Sequence, residues 1–201
     1  MEDYSARLTG EPFLYNETKI LAKYLIQGED INELRKRNVD ENLIMHKTKS
    51  SILRVNSGIF NRLQAMDDEI LYDFVNSDVD TSKIILLYII MKTNKLVNDF
   101  VNDIYKEKIL IGSDLIYDYD INGWIKEKCD NSPTLSKCTD STRYKLRQVL
   151  IKILKDAGLV KYQKDSYLII RPLLTEEYID LLKKHNDEDY LKAIGGLRWG
   201  L

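Results

Sequence analysis

The sequence predicts a mainly α-helical protein with a helix-turn-helix-like bundle at its start, connecting helices in its middle and a winged-helix-like module with a small β-hairpin at its end. Three observations carry this reading. Apolar residues recur at helical spacing through most of the 201 residues. Charge is segregated along the chain. The last third runs in the order helix, loop, longer basic helix, hairpin.

In the first segment, Asn16 is a candidate N-cap, Ile20, Leu21, Tyr24 and Leu25 follow at helical spacing, and Gly28 is a stop. Asp30 and Glu33 have capping-box spacing and open a short second helix that turns Ile31 and Leu34 inward and exits through Arg35, Lys36 and Arg37. Thr48 caps a third helix with the apolar stripe Ile52, Val55, Ile59, Leu63 and Met66. Its opposite side carries Ser50, Arg54, Ser57 and Asn61, all able to hydrogen-bond phosphates or base edges. An ordinary solvated face has the same composition.

The middle reads as one helix from about Thr81 to Ile109, with Val97, Phe100, Val101, Ile104 and Tyr105 as a stripe and Gly112 as C-cap. Its run Ile84 to Met91 is apolar all round and therefore expects cover on several sides, with Leu14, Ile20, Leu43 and Leu71 as candidates. The run is far shorter than the roughly 20 residues of a membrane span. The opening MEDYSARLTG has neither a secretory nor a transit pattern, so a cytoplasmic location is expected.

Beyond a short helix around Ile121 to Cys129 and a loop with Pro133, Asp140 and Ser141 are expected to cap a helix with the stripe Leu146, Val149, Leu150, Ile153 and Ala157, ended by Gly158. Leu159 to Tyr162, the turn Gln163-Lys164-Asp165, and Tyr167 to Ile170 before Pro172 then predict the hairpin. The implied division is 1–66, 67–112 and 113–201.

Net charge is −2 and the pI is about 5.8, which does not fit a generic nucleic-acid binder. The distribution differs from the sum. Arg35 to Arg62 holds seven Lys/Arg against two Asp/Glu, Lys126 to Lys164 ten against four, and Met66 to Ile125 between them five against twelve. Two phosphate-attracting faces fit that pattern.

A major-groove helix needs polar side chains near its start and an anchored opposite face. In the second basic helix Tyr144, Gln148 and Lys152 lie opposite the stripe, Arg143, Lys145 and Arg147 flank them, and Ser141 and Thr142 stand where helix N-termini meet phosphates. Gln148 suits adenine, Arg143 or Arg147 guanine, and Lys161 and Lys164 charge the hairpin. Lys49, Arg54 and Asn61 are the counterparts in the first bundle. Double-stranded DNA is the expected partner, with no membrane or small-molecule substrate and no cofactor.

Catalytic patterns are missing. No GxGxxG or GxxxxGK[ST] string occurs, and no Ser/His/Asp or Cys/His arrangement can be argued from spacing. Cys129 and Cys138, with His46 and His185, match no zinc pattern, and are expected as free thiols and surface histidines. Asp114, Asp118 and Asp120 read as an acidic loop capping the next helix rather than a Mg²⁺ site.

The opening YSARLTGEPFLYNET, the helix STRYKLRQVL and the sequel LKDAGLV with a hairpin ending at Pro172 resemble the BrxA family of BREX bacteriophage-exclusion systems, from Tyr4 to about Leu191. The resemblance implies a non-enzymatic component of an anti-phage defence locus, with a helical fold, helix-turn-helix character and DNA binding. It also implies a likeness to NusB-type RNA-binding antiterminators and contact with other BREX proteins. Two other readings stand beside DNA binding. Tyr144, Tyr162 and Tyr167 suit stacking on single-stranded RNA bases, and the acidic middle with the terminal AIGGLRWGL, including Trp199, suits a protein-docking scaffold.

Overall fold

The computed structural model describes residues 4, 8, 10, 12–135 and 138–195. Trp199 and the docking segment around it lie outside the described residues.

Helix α1 (Tyr15–Ile26) starts earlier than Asn16 allows as a cap. The buried Arg62 guanidinium donates to the carbonyls of Phe13 and Pro12 at 2.8 and 2.9 Å and holds the chain against the third helix. Leu14 then turns into the left-handed region and its carbonyl accepts from both the Thr18 amide (3.0 Å) and hydroxyl (2.7 Å), so Asn16 falls inside the first turn. Gly28, at φ 91°, ends α1 as expected.

Asp30 caps α2 (Ile31–Glu41) by accepting from the Asn32 and Glu33 amides, and the helix runs on past Arg37 to a left-handed Asn42. Thr48 caps α3 (Lys49–Gln64) in a reciprocal box with Ser51. All five residues of the predicted stripe are buried, Met66 lying just beyond the end of α3.

A further helix, α4 (Asp68–Asn76), has no separate place in the sequence reading. Asp67 caps it and Ile70 and Phe74 anchor it. In α5 (Val79–Thr93), capped by Asp78, no residue from Ile84 to Met91 is more than 4% exposed. The helix packs against α3, α4 and the helix that follows. Leu14, Leu43 and Leu71 do pack on the core, whereas Ile20 is exposed.

The central helix is not continuous. Asn94 leaves helical geometry and its side chain accepts from the Val97 amide at 3.2 Å, a local competition with the backbone typical of Asn. Helix α6 (Lys95–Phe100) then passes through a π-helical segment, Val101–Lys106, into α7 (Glu107–Leu110), which ends at Gly112. The predicted stripe from Val97 to Tyr105 is buried throughout.

Strand β1 (Leu115–Tyr117) leads into α8 (Asp118–Asn131), and α9 (Asp140–Asp156) leads into β2 (Val160–Gln163) and β3 (Ser166–Ile169). The antiparallel sheet has the order β1-β3-β2, with Ile116 opposite Tyr167 and Tyr167 opposite Tyr162. Gln163 belongs to the strand, and the hairpin turns at Lys164 and a left-handed Asp165. Helices α10 (Glu176–Lys184) and α11 (Glu188–Gly195) are the last described elements, α11 against the π-helical segment. There the Tyr88 hydroxyl donates to Asp187 at 2.5 Å, and Lys92 joins that carboxylate at 2.6 Å.

One cluster of buried side chains extends from Leu8 to Ile194. The protein is therefore mainly helical with a small three-stranded sheet. No described helix is long and apolar enough to cross a membrane.

Candidate nucleic-acid interface

Helix α9 is capped by Thr139 rather than by Asp140 and Ser141. The Thr139 hydroxyl oxygen accepts from the Thr142 amide at 3.2 Å and lies 3.0 Å from the Thr142 hydroxyl, so the cap stands one residue earlier and engages Thr142. Ser141 is left exposed. Leu146, Leu150, Ile153 and Ala157 are buried together with Leu154, while Val149 is half-buried at the edge of the stripe. This pins one face of α9 to α8 and β2. The opposite side presents Tyr144, Lys145, Gln148 and Lys152 to solvent, with Tyr144 58% exposed. Lys152 pairs with Asp156 at 2.9 Å. On the hairpin Lys161 and Lys164 are exposed, and among the described residues neither they nor Lys145 has a carboxylate partner.

Two arginines from the same segment are held differently. Arg143 lies 3.7 Å from both Asp130 and Asp140, and its Nε is buried without a hydrogen-bond partner. The neighbouring Cys129 thiol is pushed up by burial and by Cys138, against an opposing pull from Arg143. Arg147 bridges α9 to the start of α8 through an ion pair with Asp118. Burial alone would lower the Arg147 pKa, yet Asp118, with Tyr167 nearby, outweighs it and raises it. Half-buried and paired, both arginines hold α8 and α9 together. The structure thus separates a rigid inner set, Arg143 and Arg147, from an outer set on the same helix that faces water.

In α3 the outer face is more mixed. Lys49, Ser50, Arg54 and Asn61 are exposed and Ser57 is half-buried. Lys49 lies 3.7 Å from Asp40, and the exposed Arg54 runs its stem beside Gly10. Much of the surrounding positive charge is compensated. Lys36 pairs with Glu33, Arg37 with Glu29 and Glu41, and Arg62 is internal.

The acid cluster is divided among separate partners. Asp120 accepts from the Tyr117 amide at 2.9 Å and pairs with Lys108 at 2.8 Å, so it does cap α8; Asp118 holds Arg147, and Asp114 lies 3.9 Å from Arg171. Among the described residues no group of three His, Cys, Asp or Glu is placed to hold a metal ion. Both cysteines are free thiols. The histidines, expected at the surface, are half-buried because each bridges two elements. His46 lies 3.4 Å from Glu17, and His185 spans the Leu181 carbonyl (2.7 Å) and Asp67 (2.6 Å).

A family model described as BrxA matches residues 2–186. The chain is 32% identical over 193 residues to a protein named BREX protein BrxA from Bacillus cereus (strain H3081.97), covering 96% of each. It is 23% identical to a protein of the same name from Escherichia coli O9:H4 (strain HS), covering 95% of this chain and 89% of that one. A crystal structure of an uncharacterized protein from Magnetospirillum magneticum superposes with a TM-score of 0.81 over 96% of this chain and 99% of the other, at 19% identity, a likeness of fold.

Proposed function

The chain belongs to the BrxA family, and from that premise we propose that it serves a BREX bacteriophage-exclusion system as a DNA-binding component without catalytic chemistry of its own. The observation that carries the proposal is α9: a capped helix, anchored on one side, whose solvent side offers Tyr144, Lys145, Gln148 and Lys152 beside a hairpin bearing Lys161 and Lys164. The order β1-α8-α9-β2-β3 around the sheet β1-β3-β2 supports a winged-helix reading. In that reading α9 enters the major groove, Lys161 and Lys164 meet the adjacent backbone, and Arg143 and Arg147 position the helix from behind. Lys49, Arg54 and Asn61 on α3 supply a second, weaker contact.

Duplex DNA titrated at two salt concentrations tests both partner and mechanism, because log K falls with log salt by about 0.9 for each phosphate neutralised. Salt-dependent binding to duplex is the expected result. Preference for single-stranded RNA would instead favour stacking on the exposed Tyr144 and Tyr162, and absence of binding to either would favour a protein-docking role within the defence complex.

A further inference from the structure

The connection between α8 and α9 gathers two thiols and a guanidinium. Cys129 lies in the last turn of α8 at 1% exposure, and Cys138 stands directly before Thr139, the cap of α9, half-buried against the core. They are nine positions apart in sequence. Two successive turns fold the chain back between them: the Leu135 amide donates to the Ser132 hydroxyl oxygen at 3.3 Å, and the Cys138 amide donates to the Leu135 carbonyl at 2.8 Å. The fully buried Leu135 side chain anchors both turns. Arg143, in the first turn of α9, spans the two ends of this connection. Its guanidinium lies 3.7 Å from Asp130, the residue after Cys129, and 3.7 Å from Asp140, two residues after Cys138.

The two thiols feel each other and the guanidinium. Burial and the neighbouring Cys138 push the Cys129 thiol up, and Arg143 pulls against them. The Arg143 Nε is buried without a hydrogen-bond partner, so a fixed cation keeps a donor available in the neighbourhood of the sulfur. A nearby cation favours the thiolate, the reactive form of cysteine, and exposure decides which thiol meets a solute first. Cys138 is the accessible thiol and Cys129 the sheltered one. An accessible thiol poised next to a second one is the arrangement that converts oxidation into a reversible disulfide.

We propose that the α8–α9 connection is a redox modification site, in which hydrogen peroxide joins Cys129 and Cys138 in an intramolecular disulfide. The Cys138 thiolate attacks one peroxide oxygen, the O–O bond breaks, and the departing hydroxide takes the Cys138 proton and leaves as water, so that Cys138 becomes a sulfenic acid. The Cys129 thiolate, favoured by Arg143, then attacks the Cys138 sulfur; the S–O bond breaks and the second hydroxide leaves as water with the Cys129 proton. One peroxide and two thiols thus give one disulfide and two waters, with two electrons passing from sulfur to oxygen. The product ties the end of α8 to the cap of α9 and makes the placement of α9 depend on thiol state. A dithiol reductant reverses it by exchange.

The test is peroxide treatment of the full chain, followed by intact mass and by tryptic peptides prepared without reduction. Trypsin cuts after Lys128, Lys137 and Arg143, so the two cysteines fall in separate peptides, 129–137 and 138–143. The expected product is a monomer lighter by two hydrogen atoms, with these peptides joined, no iodoacetamide taken up, and full reversal by dithiothreitol. Cys129→Ala should instead hold a sulfenic acid at Cys138 that dimedone traps. Cys138→Ser, which removes the more exposed thiol, should give neither product, and it keeps the result readable if Cys129→Ala does not fold. Oxygen addition to the parent without the joined peptides, a disulfide between two chains, or no reaction at all overturns the proposal. Closing a loop constrains the unfolded chain, so the oxidised parent should melt above the reduced one. An oxidised form that melts lower overturns the native proximity of the two sulfurs.

Discussion

Replacing Arg147 by alanine removes the bridge that ties α9 to the start of α8, and the structure sets the size of the effect. The Arg147 side chain is 21% exposed and that of Asp118 45%. Fully exposed ion pairs contribute about 0.2–1 kcal/mol, whereas removing one partner of a buried pair costs about 3–5 kcal/mol. Asp118 keeps enough exposure to be rehydrated when the guanidinium goes, so the pair belongs near the lower range, at about 1 kcal/mol. The lost packing of the largely buried Arg147 stem adds a contribution of similar order, which places Arg147→Ala at about 1–2 kcal/mol. For a chain of this length each kcal/mol moves the midpoint by about 2–4 °C, so a fall of about 2–8 °C is expected in thermal melts followed by circular dichroism. A double-mutant cycle with Asp118→Asn isolates the pair and should return a coupling of about 1 kcal/mol. Duplex binding by the single variant should keep the parental salt slope, because the guanidinium is engaged inside the module. Additive stability effects combined with a slope lowered by about 0.9 would refute this reasoning and place Arg147 on the phosphate backbone.

The remaining predictions address other parts of the molecule. Lys161→Ala/Lys164→Ala on the hairpin should lower the salt slope by up to about 1.8 with no change in melting, since both side chains are exposed and unpaired among the described residues; an unchanged slope would remove the hairpin from the interface. His185 offers both ring nitrogens to acceptors, the Leu181 carbonyl and the Asp67 carboxylate, and its pKa is raised by those two hydrogen bonds. Its stabilisation is therefore complete below the unfolded value of about 6.5 and lost as pH rises through the higher folded value. The melting-temperature gap between parent and His185→Gln should shrink from pH 6 to pH 9, and a gap constant over that range would contradict the assignment. Gly158 sits at φ 83° with open space where a Cβ would go, so Gly158→Ala carries conformational strain alone, about 1–2 kcal/mol, read as a lower urea midpoint at unchanged m-value. A parental midpoint would mean that the left-handed turn is not required.

The stripes of α3 and α9 were legible because a period of 3.6 survives in any window of the chain, and Thr48, Gly28 and Gly158 mark boundaries through local backbone chemistry. Features that depend on distant residues were not. Strand β1 is three residues long and acquires its identity from pairing with β3 some fifty positions later. The break at Asn94 hides inside an apolar period that continues across it. The pairing of Asp118 with Arg147 needs the α8–α9 crossing to exist before either residue has a partner, so spacing read Asp118 as one of three loop acids.

The same distinction decides how the two basic segments should be weighed. A window of sequence counts every lysine and arginine equally, but the field outside the molecule depends on which of them reach water without a nearby carboxylate. In the first segment Arg62 is spent inside the fold on the Pro12 and Phe13 carbonyls, and Lys36, Arg37 and Lys49 lie beside acids. In the second, Arg143 and Arg147 are drawn inward, yet Lys145, Lys161 and Lys164 stand exposed and unpaired among the described residues, with Lys155 a turn beyond Lys152. Similar sequence charge has thus become unequal surface charge. Since phosphate affinity follows the uncompensated cations, α9 and its hairpin should carry the larger share of the salt-dependent binding, and variants there should shift the slope more than Arg54→Ala on α3.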